Sequence, residues 1–245
     1  MILVVDIGNT RIKCAVFEND TLKELFVFYK EETEKKIKKI LKKFPKLTVA
    51  VSSSVVSEAS FFTFLENNGI KVVKISHESQ LPFVNAYLTP NTLGIDRIVL
   101  AAGATLKYPK TNILVIDAGT CLTYDFISKD EVYFGGAISP GLQLRANALH
   151  QFTSKLPLIA IEEPSNYVGN STNQAILSGV VFGVIHEIEG FIAQYCSDFE
   201  DLTIILTGGD AIFLAKYIKS TIFAHSNFLL ESLNALYNFI NKTDD

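Results

Sequence analysis

Short apolar runs separated by tight turns open the chain. Residues 2–5 form a continuous apolar run, and a second, largely apolar run at 12–17 follows a Gly-Asn-Thr turn. Two such runs joined by a tight turn are typical of a β-hairpin, and residues 25–29 predict a third strand. Over residues 31–44, apolar side chains recur at the spacing of one helix face between lysines, which predicts an amphipathic helix with a solvated basic face.

The rest of the chain alternates helical and strand patterns, and this alternation predicts an α/β fold. Further strands are predicted at 47–51, 70–75, 112–116, 122–127 and 202–206. Helices are predicted at 57–68, opening near 93–97, at 172–195, after Gly209 and at 227–240. We expect two half-domains, residues 1–109 and 110–245, with the last helix able to pack back on the first half.

The sequence contains an internal repeat. Residues 2–10 read Ile-Leu-Val-Val-Asp-Ile-Gly-Asn-Thr, and residues 113–121 read Ile-Leu-Val-Ile-Asp-Ala-Gly-Thr-Cys. Each copy is an apolar strand that ends in Asp, then one residue, a Gly and hydroxyl-bearing residues, and each leads into a second strand. A duplicated half-domain explains both copies.

The two Asp-x-Gly turns suit phosphate chemistry. Gly lets backbone N–H groups approach an anion closely, whereas the Asp repels phosphate and must hold a cation or a water instead. Two such turns facing a polyphosphate across a cleft would position and neutralise it, which supplies most of the catalysis in phosphoryl transfer. A single copy could equally be a plain strand-ending turn, but two copies with matching strands favour a function. The sequence has no P-loop motif and no GxGxxG after a strand.

Composition and charge narrow the class of protein. The 245-residue chain has a net charge of −4, which disfavours nucleic-acid partners because these select a basic surface. Its three cysteines form no CxxC pair and its four histidines match no ligand pattern, so we expect neither a zinc site nor a disulfide framework. The N-terminus lacks a signal-peptide pattern, and the longest apolar stretch, at 175–185, is too short to span a bilayer. We therefore expect a cytoplasmic protein.

A further acidic motif lies between the two turns. Tyr87 and Pro90 precede Leu-Gly-Ile-Asp-Arg at 93–97. Transfer to an alcohol needs a proton acceptor within hydrogen-bond reach of the attacking hydroxyl, and Asp96 is the predicted general base. Arg97 offers a fork of donors for a carboxylate or amide oxygens. The alternative is that both residues only cap and charge the start of a helix.

These motifs resemble those of type III pantothenate kinases, which belong to the actin-like ATPase superfamily together with sugar and acetate kinases. The likeness runs in order from residue 6 to about 211 and includes the glycine-rich segment 135–141, the segment 169–172 and Thr-Gly-Gly-Asp-Ala at 207–211. It implies an α/β fold of duplicated actin-like (ribonuclease H-like) half-domains with mixed sheets flanked by helices. One departure is Cys121, where a smaller residue such as Ala is expected; a small apolar thiol should still pack there.

The resemblance also implies residue roles. The ATP-binding residues would be Asp6, Ile7, Gly8, Asn9, Thr10, Arg11, Ile12, Lys13, Thr120, Gly208 and Gly209. The substrate-binding residues would be Tyr87, Gly94, Ile95, Asp96, Arg97 and Thr172, the last supplied by a second subunit. Asp6 would order Mg²⁺ through water, and Asp117 would hold a monovalent cation, potassium or ammonium. An ordinary exposed strand lysine is the alternative for Lys13, and a core tyrosine is the alternative for Tyr87.

The implied reaction is ATP-dependent phosphorylation of pantothenate to 4′-phosphopantothenate, the first step of coenzyme A biosynthesis. The implied assembly is a homodimer whose active site lies near the subunit interface, with ATP and pantothenate as partners and with neither nucleic acid nor membrane. The alternatives are another actin-like small-molecule kinase, a non-catalytic ATP-binding regulator, or a filament-forming actin relative. The intact Asp96–Arg97 pair and both turns favour the catalytic interpretation.

Overall fold

The structure is a computed structural model and describes residues 1–8, 11–53 and 59–243. The chain forms two compact units, one made of Met1–Pro109 with Phe228–Asp245 and the other of Lys110–Asn227. The half-domain limits expected from the sequence stay a prediction.

The first unit is built on a five-stranded sheet. Its strands are β1 (Ile2–Ile7), β2 (Arg11–Glu18), β3 (Thr21–Tyr29), β4 (Val49–Ser52) and β5 (Lys71–Lys74), and a two-residue strand, β6 (Val84–Asn85), follows them. Its helices before the second unit are α1 (Thr33–Lys43), α2 (Ala59–Asn67) and α3 (Ile95–Lys107). Side chains of α1 and α2 bury one face of the sheet, where they pack against the odd-numbered residues of β1.

The second unit has its own sheet. Its strands are β7 (Ile113–Ala118), β8 (Cys121–Ile127), β9 (Val132–Pro140), β10 (Thr203–Thr207) and β11 (Phe223–Ala224). Its helices are α4 (Leu142–Gln151), α5 (Thr172–Asp198) and α6 (Ala211–Ala215). The chain then returns to the first unit as α7 (Phe228–Thr243), which packs against α3 and β1.

The two sheets share one topology. The first has the order β3-β2-β1-β4-β5 and the second contains the order β9-β8-β7-β10-β11. In each, an antiparallel three-stranded meander is extended by strands parallel to its first strand. This repetition is what duplicated halves require, and it confirms the predicted α/β class of mixed sheets flanked by helices.

The strand registers place the two repeated aspartates in equivalent positions. Asp6 lies opposite Lys13, one pair before the hairpin turn, and Asp117 lies opposite Thr123, also one pair before its turn. The sequence repeat is therefore a repeat of structure, although the residue facing each aspartate differs in chemistry.

Most strands and helices lie where the sequence predicts them. The missed elements are the two-residue strands β6 and β11 and, on either side of Gly141, β9 and α4. Glycines and a proline punctuate this stretch and hide the alternation of a strand. Glycine at position 136 is required by packing, because a Cβ there would overlap the Tyr124 carbonyl oxygen. The first two residues of the helix predicted at 57–68 lie outside the described residues.

Helix α5 is longer than its apolar stretch suggested. It spans 27 residues, and by length and composition alone it could cross a membrane, with a mean hydropathy of 1.6 over its best 18-residue window. The expectation that this region is too short is therefore wrong for the helix as a whole. Half of that window is buried inside the structure, as in the core helix of a soluble protein, which passes the same test.

Close packing joins α7 to the first unit. A Cβ at Gly103 of α3 would overlap the side chain of Ser232 of α7 and lie 2.7 Å from its Cα. At the other side of the helix, Asn234 donates a 2.8 Å hydrogen bond to the carboxylate of Asp20 in the β2–β3 turn. The helix is thus held both by a shape match and by polar contacts.

Replacing Gly103 by Ala should destabilise the protein by about 1–3 kcal/mol, because the added methyl group forces α7 away from α3. The matched control is Gly190→Ala in α5, where a Cβ meets no atom within 4 Å. That change should stabilise the helix by up to about 1 kcal/mol. Chemical denaturation measures the free energy of unfolding of both variants. An unchanged free energy of unfolding in Gly103→Ala would contradict the close α3–α7 contact.

Candidate active site

The first turn follows β1 directly. Asp6 is half-buried at the end of the strand, and the Gly8 amide donates to the Arg11 carbonyl over 3.0 Å across the hairpin. The predicted ATP contacts Asn9 and Thr10 lie outside the described residues. The side chain of Arg11 points to the neighbouring strand, where its guanidinium lies 5.2 Å from the ring centroid of Tyr29.

Three charged groups come together in the first unit. Burial raises the pKa of the Asp6 carboxyl, the Lys13 ammonium lowers it, and Asp96 raises it again. Strand alternation explains part of this grouping, because Asp6 and its cross-strand partner Lys13 share one face of the sheet. Lys13 is half exposed and lowers the pKa of Asp6, and its role at a phosphate stays a prediction.

The predicted base lies in the first turn of α3. The exposed Asp96 carboxylate accepts a hydrogen bond from the Arg97 amide over 2.9 Å. A Cβ at Gly94 would overlap the same carboxylate oxygen, so this orientation of Asp96 requires glycine. The carboxylate therefore folds back over the start of the helix while it stays open to solvent.

Arg97 and Tyr87 lie side by side. Arg97 is 5% exposed, and its guanidinium carbon lies 5.8 Å from the centroid of the Tyr87 ring. The side chain of Asn85 accepts a 3.0 Å hydrogen bond from the main-chain amide of Tyr87 and so helps to fix the main chain there. His77, which the sequence did not single out for this segment, contacts the Leu93 carbonyl over 2.8 Å just before Gly94.

The second turn is enclosed by main chain. The Gly119 amide donates to the Cys121 carbonyl over 3.0 Å, and the Asp210 amide donates to the Ala118 carbonyl over 2.9 Å. Gly208 has a φ of 99° and leaves no room for a Cβ, which would overlap Ala118 and the Asp117 carboxylate. Glycine is therefore required at 208 both by conformation and by contact.

The residues of this turn differ in exposure. Thr120 is exposed and Asp117 is half-buried. Cys121 is exposed, which corrects the expectation that its thiol packs, because strand alternation turns it away from the buried side chain of Leu122. Burial raises the pKa of the Asp210 carboxyl, which follows Gly209.

Three apolar residues among the predicted ligand contacts have buried side chains. Ile7, Ile12 and Ile95 are at most 8% exposed and belong to the core. Each can therefore meet a ligand only through its main chain.

Thr172 begins α5 in the second unit and is exposed. The preceding residue, Ser171, caps the helix by accepting a 3.3 Å hydrogen bond from the Gln174 amide. Ser178 donates to the Tyr167 carbonyl and so fastens the incoming segment to the helix. Thr172 thus has a defined position at the start of α5 within the second unit.

Comparison with known proteins assigns the family. The family model for type III pantothenate kinase matches residues 2–194. A type III pantothenate kinase of Flavobacterium johnsoniae is 58% identical over 98% of both chains. A second relative of the same name, from Phocaeicola vulgatus, is 36% identical over 99% of this chain and 100% of its own.

This chain belongs to the type III pantothenate kinase family. Solved structures support its fold class. A conserved Baf family protein from Campylobacter jejuni superposes with a TM-score of 0.62 at 21% identity, covering 98% of this chain and 99% of its own. The ethanolamine utilization protein EutJ from Carboxydothermus hydrogenoformans gives 0.55 at 14% identity, covering 96% and 89%. Identities this low show a shared fold alone.

Proposed function

We propose that this chain transfers the γ-phosphoryl group of ATP to the 4′-hydroxyl of pantothenate and so forms 4′-phosphopantothenate, the first step of coenzyme A biosynthesis. The observation that carries the proposal is similarity over nearly the whole chain to type III pantothenate kinases, up to 58% identity. The retained Asp96, Arg97 and both Asp-x-Gly turns support an active enzyme rather than a non-catalytic ATP-binding relative.

Asp96 is the proposed general base. Its carboxylate is exposed and oriented by the Arg97 amide, so it can reach an incoming hydroxyl without moving the helix. It would accept the proton of the pantothenate hydroxyl while that oxygen attacks the γ-phosphorus, and the bond to the ADP oxygen breaks. The buried Arg97 and the neighbouring Tyr87 would hold polar oxygens of pantothenate, with Gly94 and Ile95 contributing main chain.

Asp6 is the proposed residue for a divalent cation. Its pKa is raised by burial and by Asp96, and the fit is chemical, because a Mg²⁺ ion near these two carboxylates would relieve their repulsion. Mg²⁺ bound with ATP neutralises phosphate charge in kinases. Lys13 would add a point charge at the phosphates, and Gly8 would let the turn approach them closely.

The second turn is the proposed site for a monovalent cation and for further ATP contacts. Asp117 would hold potassium or ammonium, and the exposed Thr120 would donate to a phosphate oxygen. Gly208 lies directly against this turn, and the space beside Gly209 is open, so adenosine would rest on main chain there.

A homodimer is the proposed assembly, in the cytoplasm. The second unit exposes a set of large apolar side chains near α4 and the start of α5, and these are Ile138, Leu144, Phe152, Leu158, Tyr167 and Val168. Exposed apolar groups of this kind mark interaction surfaces. Thr172 lies in the same part of the sequence, and we propose that it reaches the pantothenate of the partner subunit.

Asp96→Asn should fold normally and lower kcat about 10²- to 10⁴-fold, because the amide cannot accept the proton. A coupled ADP-release assay with pantothenate measures this. Asp130→Asn, which removes an exposed carboxylate from a turn, is the control and should keep full turnover. Activity of Asp96→Asn within about tenfold of wild type, about 1.4 kcal/mol, would remove Asp96 as the base.

Turnover should be much higher in potassium chloride than in tetramethylammonium chloride at equal ionic strength, because only the smaller cation can sit beside the Asp117 carboxylate. Asp117→Asn should abolish the difference. Equal rates of the wild-type enzyme in both salts would contradict a monovalent-cation role for Asp117.

Mixing two inactive variants tests the shared site. Asp96→Asn and Thr172→Val should each lose activity alone, whereas subunit exchange creates hybrid dimers with one intact site. About a quarter of wild-type activity should then return, as expected for random pairing in a two-fold dimer. No recovery in a mixture shown to contain hybrids would place Thr172 in its own subunit's site.

A further inference from the structure

A polar cluster lies within the second unit, beside the end of β9. The Tyr124 hydroxyl donates to one carboxylate oxygen of Glu187 over 3.0 Å, and the Ser139 hydroxyl donates to the other over 3.1 Å. Arg145 of α4 forms an ion pair with the same carboxylate of α5. Burial and the nearby Glu187 raise the pKa of Tyr124, so its hydroxyl stays a donor. The four side chains thus tie two strands to two helices.

Arg145 also holds the main chain of β9. Its Nε donates to the Pro140 carbonyl over 2.8 Å, and one terminal nitrogen donates to the Ser139 hydroxyl over 2.8 Å. A guanidinium presents its donors in a rigid fork, so the ion pair with Glu187 fixes where the other donors point. The end of β9 is therefore positioned by Arg145, and Arg145 by Glu187.

The peptide held by Arg145 also contacts the second turn. The Pro140 carbonyl belongs to the peptide group that includes the Gly141 amide, and this amide donates to the Thr120 carbonyl over 3.0 Å. A Cβ at Gly141 would lie 2.7 Å from that oxygen and would overlap the Gly119 carbonyl, so no side chain separates the two segments. One planar peptide connects the arginine to the turn.

We propose that Arg145, held by Glu187, is a positioning residue for the second phosphate turn. It fixes the Pro140–Gly141 peptide, which fixes the Thr120 carbonyl and with it the direction of the turn's donors. Donation to the peptide carbonyl also polarises its amide and strengthens the bond to Thr120. This inference rests on the proposed binding of ATP by the turn, and it assigns Arg145 and Glu187 an effect through that turn rather than direct binding of substrate.

The test measures nucleotide and acceptor binding separately in Arg145→Ala, Arg145→Lys and Glu187→Gln. Arg145→Ala should raise the KM for ATP about tenfold or more, as expected for the loss of one charge-assisted hydrogen bond, and leave the KM for pantothenate within about twofold. Arg145→Lys should be intermediate, because its single ammonium keeps the ion pair but not the fork. Calorimetry should show the same order in the Kd of a non-hydrolysable ATP analogue.

The matched control is Glu189→Gln on the same helix. Glu189 accepts a 2.5 Å hydrogen bond from the Ser220 hydroxyl and contacts the main chain at Lys219, so the same charge is lost away from the turn. All its constants should stay within about twofold of wild type. Unchanged analogue binding in Arg145→Ala, or an equal loss in Glu189→Gln, would overturn the proposal.

Two further outcomes are distinguishable. If Arg145→Ala unfolds below the assay temperature, Arg145→Lys and Glu187→Gln replace it in the test. Weaker binding of the ATP analogue with an unchanged KM for pantothenate then supports the role of Arg145, and unchanged analogue binding overturns it. If wild type binds the analogue but does not phosphorylate pantothenate, the proposed function fails, while the analogue Kd of the variants still decides the role of Arg145.

Discussion

Close approach of main chain to main chain is the constraint on which the second unit depends. At the end of β7, the segments that carry Gly141 and Gly208 both contact the Asp117 turn where a Cβ would have no room. Contacts of this kind fix the distance between segments but transmit any displacement of one segment to the next. The turn is therefore only as well ordered as the strands and helices that hold its neighbours, which is why an ion pair two segments away matters.

In the first unit, the equivalent turn is stabilised by an interaction between charges. Its turn carries Asp6 in a partly buried position, and Lys13 across the strand offsets part of the cost of keeping that carboxylate ionised. The second copy has Thr123 at the matching position and offers no such cation. One duplicated hairpin thus provides two different electrostatic environments.

The sequence predicted those strands, helices and motifs whose residues lie close together along the chain. Strand alternation and the repeat predicted both hairpins. The motif at 93–97 and the resemblance together singled out Asp96 and Arg97, which the structure places at the start of α3. The Arg145–Glu187 pair could not be found this way, because its members lie 42 positions apart and follow no period. Cys121 was misjudged because its exposure depends on which face of β8 it occupies, and the expectation considered only its size and polarity.

The return of α7 to the first unit bears on how the protein is made. The sheet formed by β1–β5 emerges early from the ribosome, yet the helix that packs on β1 and α3 is synthesised after the entire second unit. At about 5–20 residues per second, that interval lasts on the order of ten seconds. During translation, the face of the first sheet that α7 covers therefore stays exposed while the second unit can already fold. Nascent chains are then most dependent on chaperones at their N-terminal end, although that end is made first.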